Sequence, residues 1–227
     1  MTTYSSTRDR LEAYFDQTAA QTWERLTSDA PVSRIRQTVR EGRDRMRALM
    51  LSRLPADLNG ARVLDAGCGA GQTSVELAAR GAEVVAVDIA PNLLEVAARR
   101  TPAALAPRIT FRPGDMLDEG LGRFDYVIAM DSLIHYRAPD IADALLRLGH
   151  RTSGAIVFTL APRTPLLRLM HLTGKAFPRA NRSPAIVPHR AEAIAAALAP
   201  RAPDWALAPV GRVACGFYIS QAMELRP

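Results

Sequence analysis

From Ala61 onward the chain alternates short, nearly continuous apolar runs with longer stretches whose apolar positions recur at helical spacing. The runs predict strands near 62–66, 83–88, 108–111, 124–129 and 155–161; the periodic stretches predict helices near 71–80, 91–100 and 139–149. Gly81 ends the first of these helices and Pro91 starts the second. Such alternation predicts an α/β fold with a mostly parallel sheet covered on both faces, and runs this apolar fit strands without a wet side. Two last runs, near 205–212 and 216–224, lie close enough to pair antiparallel.

Ahead of this unit the pattern is helical only. Leu11, Tyr14, Phe15, Trp23 and Leu26 mark an amphipathic helix within 8–26, and Asp29-Ala30-Pro31 breaks it. Ser33 can cap a second helix, with Ile35, Val39, Met46, Leu49, Met50 and Leu54 along one stripe. Pro55 to Gly60 reads as a turn. The chain thus divides into an N-terminal helical arm, 1–54, and a domain, 55–227. Residues 162–190 interrupt the alternation with five prolines and a short apolar stretch (Leu166, Leu167, Leu169, Met170, Leu172) flanked by basic residues. An insertion of this length in a compact domain is typically functional, and here it reads as a lid.

The chemistry begins at Val63-Leu64-Asp65-Ala66-Gly67-Cys68-Gly69-Ala70-Gly71, followed one helix later by Val84-Val85-Ala86-Val87-Asp88. Strand, glycine turn, helix and a second strand ending in an acid form a nucleoside-binding half-unit. Glycines at 67, 69 and 71 let backbone approach a ligand where a Cβ would stand, and Cys68 supplies a small side chain inside that turn. Asp88 ends the second strand, where a carboxylate can accept from both ribose hydroxyls. A dinucleotide fingerprint would place pyrophosphate on the helix N-terminus, but Asp65 suits a cation such as an amino acid's ammonium. A ribose joined to an amino-acid tail is S-adenosylmethionine, and the turn matches the first motif of class I methyltransferases. That assignment carries a Rossmann-like, mostly parallel seven-stranded sheet with an antiparallel C-terminal strand.

Ligands of open α/β sheets lie at the carboxyl ends of the strands, which singles out two more segments. Gly114-Asp115-Met116 follows the third strand: Asp115 can accept from the adenine amino group, while Met116, Ile89 and Leu93 offer apolar faces to the ring. Met130-Asp131-Ser132-Leu133-Ile134-His135-Tyr136 follows the fourth, where Met130 borders the cofactor and a methyl acceptor would meet His135. The segment lacks the Asn/Asp-Pro-Pro-Tyr tetrapeptide of enzymes that methylate nucleic-acid amines, so no nucleic-acid substrate is expected.

Composition adds limits. The chain has 227 residues, is 48% hydrophobic and carries a formal charge of +6; Lys175 is its one lysine. Two distant cysteines, Cys68 and Cys215, argue against a zinc site or disulfide framework, and no protein metal site is expected. No apolar run is long enough to span a bilayer, and residues 1–30 lack a signal-peptide core, so a cytoplasmic protein is expected. From Ala144 to Ala191 there is no acidic residue but eight basic ones, which favours an anionic partner or surface.

Four segments together resemble magnesium-protoporphyrin IX O-methyltransferases over nearly the whole chain. They are Tyr14-Phe15-Asp16-Gln17-Thr18-Ala19-Ala20 with Trp23, Val32-Ser33-Arg34-Ile35-Arg36, Val63 to Gly71, and Asp131 to Tyr136. Ala70 departs from the superfamily, where Thr or Ser is common. The resemblance implies methyl transfer from S-adenosylmethionine to a propionate carboxylate, giving a monomethyl ester in bacteriochlorophyll and chlorophyll biosynthesis. It implies Tyr14 and His135 as the catalytic pair, magnesium arriving only within the porphyrin, and association with the magnesium chelatase large subunit. The basic insertion could also rest peripherally on an inner photosynthetic membrane. Two other readings stay open at this point: an O-methyltransferase of a phenolic quinone precursor, and a non-catalytic tetrapyrrole or nucleic-acid binder on the same fold.

Overall fold

Alternation within each apolar run divides its side chains between the two faces of one sheet. The computed structural model describes residues 3–15, 34–163 and 186–227. Its strands are β1 (Arg62–Ala66), β2 (Glu83–Asp88), β3 (Ile109–Pro113), β4 (Phe124–Ala129), β5 (Thr152–Leu160), β6 (Ala206–Cys215) and β7 (Tyr218–Arg226). The described helices are α1 (Tyr4–Tyr14), α2 (Arg34–Leu51), α3 (Gln72–Ala79), α4 (Pro91–Arg100), α5 (Ala138–Gly149) and α6 (Ala191–Leu198). Strand order is β3-β2-β1-β4-β5-β7-β6, with β1 to β5 parallel and β7 antiparallel to both its neighbours.

Val85, Val87, Val127 and Phe158 face one buried cluster with Ile141 and Leu145 of α5 and Ile194 of α6. Their chain neighbours Val84, Ala86, Ile128 and Val157 face the other, with Met46 and Met50 of α2 and Leu77 of α3. Each strand is therefore covered on both sides, as its apolar run requires. The direction of strand succession reverses between β1 and β4, which opens the crevice where such sheets hold ligands.

The sheet and its first helices lie within a few residues of where the sequence puts them, with the following differences. The arm's first helix begins at Tyr4, because Thr3 caps it: the Ser6 amide donates to Thr3 Oγ1 and Thr3 N–H to Ser6 Oγ. Its described part ends at Tyr14 and Phe15; Trp23, Leu26, the break at 29–31 and the Ser33 cap lie outside the described residues, as does 164–185 of the insertion. Helix α6 was not expected, since Ala191-Glu192-Ala193-Ile194-Ala195-Ala196-Ala197-Leu198 carries too few large apolar side chains to show a period. Strand β5 starts at Thr152, ahead of the expected 155.

Gly71 shows why one glycine of the turn is needed for packing. It caps α3 with φ +79°, and a Cβ there would lie 2.8 Å from that of Ala97 on α4. It stands behind the loop, so it keeps space for a helix rather than for a ligand, which corrects the expectation for this position. Gly71→Ala is expected to cost on the order of 2–4 kcal/mol, from left-handed backbone strain plus overpacking. Urea unfolding checks this.

Candidate active site

At the carboxyl ends of β1, β2 and β4 the structure has a cavity of about 320 Å³, within the range of small-molecule clefts. Asp65, Gly67, Cys68, Gly69, Asp88, Ile89, Leu93, Gly114, Asp115, Met116, Met130, Tyr14 and His135 all line it. Of the candidate cofactor-binding and catalytic residues, all but Gly71 are therefore brought to one place.

The glycine turn is shaped by what its Cβ atoms would meet. At Gly69 (φ +54°) and Gly114 (φ +134°) an added Cβ finds no atom within 4 Å, so these two face the cavity as a cradle for a ligand. At Gly67 (φ +81°) it would lie 2.5 Å from Cβ of Ser132, so this glycine lets the loop after β1 meet the loop after β4. Ser132 Oγ is buried there and makes no hydrogen bond among the described residues, although it lines the cavity. An unpaired buried hydroxyl beside a cradle fits a polar ligand.

Two carboxylates sit at the strand ends. Asp88 accepts from the Gly69 amide at 2.8 Å and the Ala90 amide at 2.9 Å, one per oxygen, so backbone aims both oxygens. Burial pushes its carboxyl up, against the lowering effect of those amides. Asp65 is only 1% exposed and accepts from Ser74 Oγ at 2.5 Å. Burial, opposed by Ser74 and reinforced by the negative charge of Asp88, pushes Asp65 up to about 7. The site thus holds two carboxylates that a nearby cation would relieve. On α2, Arg47 lines the cavity, pairs with Glu76 and Asp44, and places positive charge near Asp65.

Asp115 has partners that the sequence did not suggest. Tyr4 Oη donates to its Oδ1 at 2.8 Å, Arg8 Nη1 to its Oδ2 at 3.1 Å, and the Leu117 amide to Oδ1 at 2.9 Å. The arm is therefore latched onto the cofactor side of the cleft. Tyr4 also stacks on Tyr136 with ring centroids 4.7 Å apart, and its hydroxyl is pushed up by burial, then by Tyr136 and Asp115.

On the acceptor side, Phe15 contacts both candidate catalytic rings: Tyr14 edge-on at 5.2 Å and His135 at 6.1 Å. The loop carrying His135 is also held from the far side of the insertion. The Val187 amide donates to the Ile134 carbonyl at 2.8 Å, and His189 Nε2 donates to the Tyr136 carbonyl at 2.7 Å. Pro162 and His189 form a bridge, so the described stems of the insertion are joined at its base. At the cavity rim stand Ile186, 40% exposed, and Phe217, 52% exposed. Sequence reading missed Arg43, Arg47, Tyr4, Phe217 and Tyr218 as site residues. The i, i+4 spacing of Arg43 and Arg47 on the helix that buries Met46 and Met50 was the available signal.

Comparison with known proteins gives consistent matches. The family described as "Magnesium-protoporphyrin IX methyltransferase C-terminus" matches residues 129–227, and "Methyltransferase domain" matches 63–152. The chain is 57% identical over 225 residues to the magnesium-protoporphyrin O-methyltransferase of Rhodobacter capsulatus, covering 99% of this chain and 98% of that one. The crystal structure of magnesium protoporphyrin IX methyltransferase from Synechocystis PCC 6803 with bound SAH superposes with a TM-score of 0.80 at 27% identity, covering 96% of this chain and 99% of that one. A ubiquinone biosynthesis O-methyltransferase of Xanthomonas oryzae is 36% identical over 125 residues, but this spans 53% of the chain.

The raised Asp65 has a stability consequence. A carboxyl lifted to about 7 binds its proton more tightly in the folded than in the unfolded state. Stability therefore falls as pH rises from about 4 toward 7 and levels off above. Relative to Asp65→Asn, the wild-type unfolding free energy is expected to drop on the order of 2–4 kcal/mol between pH 4 and pH 7.5. Urea titrations of both proteins across that range check the slope.

Proposed function

The chain belongs to the magnesium-protoporphyrin O-methyltransferase family, and from that premise we infer how its own residues serve the reaction. The protein is an S-adenosylmethionine-dependent O-methyltransferase acting on magnesium-protoporphyrin IX, in chlorophyll and bacteriochlorophyll biosynthesis. The observation that carries the residue-level reading is the convergence of Asp65, Asp88, Gly69, Tyr14 and His135 on one cavity.

S-adenosylmethionine, when bound, supplies a methyl group on a positively charged sulfur, whose bonding pair stays with sulfur as the methyl joins a carboxylate oxygen. Asp88, with both oxygens aimed by backbone amides, holds the ribose hydroxyls. Asp65 takes the ammonium of the amino-acid tail and Arg47 its carboxylate. Ile89, Leu93 and Met116 enclose the adenine. A carboxylate accepts about four hydrogen bonds, so Asp115, with three donors in place, keeps one direction for the adenine amine.

On the acceptor side no general base is required. A propionate titrates near the Glu value of about 4.3, so it is ionised at neutral pH. Burial pushes the Tyr14 hydroxyl up, which keeps it a donor. Tyr14 and His135 therefore orient the carboxylate by hydrogen bonds, while Leu11, Phe15, Ile134 and Phe217 exclude water. Merging opposite charges is favoured in such a dry site, and orientation alone can supply roughly 7–11 kcal/mol. The phenolic-quinone reading would need His135 as a base, since a phenol titrates near 10; the full-length match to porphyrin enzymes leaves the carboxylate reading preferred.

Association with the magnesium chelatase large subunit, and contact of the basic insertion, residues 163–190, with an anionic membrane surface, belong to the same reading and rest on the family and on charge. No helix among the described residues is long and apolar enough to cross a membrane.

Incubation with methyl-labelled S-adenosylmethionine and magnesium-protoporphyrin IX is expected to put one label on the pigment that alkaline ester hydrolysis removes; an unlabelled pigment refutes the acceptor. Asp88→Ala is expected to weaken S-adenosylmethionine binding on the order of 100-fold, from loss of charge-assisted hydrogen bonds, as calorimetry would read. Tyr14→Phe should lower kcat on the order of tenfold with that affinity unchanged. For the wild type, kcat should stay flat between about pH 6 and 9, because the acceptor ionises below that range; a rate climbing toward the phenol value would reinstate the base.

A further inference from the structure

The loop after β3, on the adenine side of the cleft, is held by a charge that none of the roles above uses. Arg151, in the turn between α5 and β5, is 9% exposed. Its Nη1 donates to the Asp118 carbonyl at 2.5 Å and its Nη2 to the Met116 carbonyl at 2.6 Å. Its Nε is buried and makes no hydrogen bond among the described residues. The Phe124 ring, its centroid 5.8 Å from Cζ, backs the guanidinium. Burying a guanidinium against neutral carbonyls costs stability; what it secures is the position of the loop. A planar trans peptide held by its carbonyl points its N–H the opposite way. In the peptide between Met116 and Leu117, the carbonyl accepts from Arg151 while the N–H donates to Asp115 Oδ1 at 2.9 Å. Arg147 on α5 binds the next carbonyl, that of Leu117, at 2.8 Å. The N–H of that peptide goes to the backbone carbonyl of Asp115 at 3.0 Å. Of the two arginines, only Arg151 is thus joined through a peptide to the Asp115 carboxylate.

We propose that Arg151 is a positioning residue for cofactor recognition: through the Met116–Leu117 peptide it aims the Asp115 carboxylate at the 6-amine of adenine. This rests on the role given to Asp115 above. A carboxylate turns readily about its last bond, and then its open direction faces solvent as often as a ligand. Three donors oppose that turn. Tyr4 and Arg8 come from α1, whereas the Leu117 amide belongs to the loop itself. That amide is a fixed point only when its peptide plane is fixed, and Arg151 fixes the plane from behind. A charge-assisted bond to the carbonyl also polarises the peptide, which makes its N–H a stronger donor to the carboxylate. The same contact holds the backbone of Met116, which lines the cavity, so one guanidinium serves both the edge and the face of the base. Adenine and hypoxanthine differ at the atom Asp115 meets, an amine in one and a carbonyl oxygen in the other. A carboxylate aimed there accepts from the first and repels the second; one free to turn tells them apart poorly.

The test reads by calorimetry the affinities of S-adenosylhomocysteine and of S-inosylhomocysteine, its analogue with oxygen in place of the 6-amine. The wild type should prefer the adenine ligand on the order of 30-fold, as expected for one hydrogen bond to a charged group. Arg151→Met should weaken the adenine ligand about tenfold and the inosine ligand by no more than about twofold, so that the preference falls to a few-fold. Arg151→Lys, whose ammonium can reach one carbonyl, should keep an intermediate preference. Arg147→Met frees the neighbouring carbonyl of the same loop and should keep the preference within about twofold of the wild type. An Arg151→Met protein that loses both ligands alike overturns the proposal, as does an equal loss of preference in Arg147→Met. A measurement on the wild type covers misfolding: saturating S-adenosylhomocysteine should slow hydrogen exchange of the Leu117 amide at least about tenfold more than the saturating inosine analogue. Equal protection by the two overturns the positioning. A wild type that binds both ligands equally overturns the adenine role of Asp115 itself, and the positioning with it.

Discussion

The cleft depends on how closely two loops approach where the sheet reverses direction. Strands β1 and β4 are paired through Val63 to Asp65, yet their following chains must diverge to opposite sides. Gly67 and Ser132 meet at the point of divergence, at a separation that no side chain larger than hydrogen on residue 67 would allow. Both residues line the cavity, so a wider gap here would move the loop after β1 and the loop after β4 apart.

Much of that arrangement was legible in the sequence because it is local. The ends of β1 and β2, the glycine turn, Asp65 and Asp88 sit within one strand–turn–helix–strand unit, whose spacing alone fixes their relation. The roles of individual glycines were not legible: Gly69 faces the open cavity, Gly67 a loop and Gly71 a helix, although all three share positive φ. What each Cβ would meet is decided by Ser132 and Ala97, which are distant in sequence. The same reason hid Tyr4 and Arg8 behind Asp115, and Arg43 and Tyr218 beside Asp131. Helix α6 escaped for a different reason. A helix of small residues buries little area per turn, and its period is faint even though Ile194 is fully buried.

Electrostatics ties these parts together. Burial raises the proton affinity of both carboxylates at these adjacent strand ends, and the charge of Asp88 raises that of Asp65 further. Without a ligand this is a cost to the fold, which a cationic tail relieves on binding. On the acceptor side the problem is reversed, because the substrate brings negative charge into an apolar cleft. There the cavity offers a hydroxyl that stays neutral, that of Tyr14, and an arginine, Arg43, paired with Asp131. Opposite charges thus reach the reaction centre with the donor and the acceptor, and the protein leaves little of its own unbalanced charge between them.

The placement of His135 shows how this precision is obtained from a short loop. Residues Leu133 to His135 make a single turn of 3-10 helix, too short to hold an imidazole by itself. Its neighbours are fixed instead. Leu133 is fully buried beneath it, Tyr136 is stacked against Tyr4 from the arm, and the carbonyls of Ile134 and Tyr136 are held from residues 187 and 189. Two segments far apart in sequence therefore grip the same four residues from either side. A ring confined in this way has less freedom left to lose on meeting a ligand. The stem of the insertion thus acts on this loop alone, whereas the arm reaches both the loop, through Tyr4 on Tyr136, and the opposite side of the cleft, through Asp115.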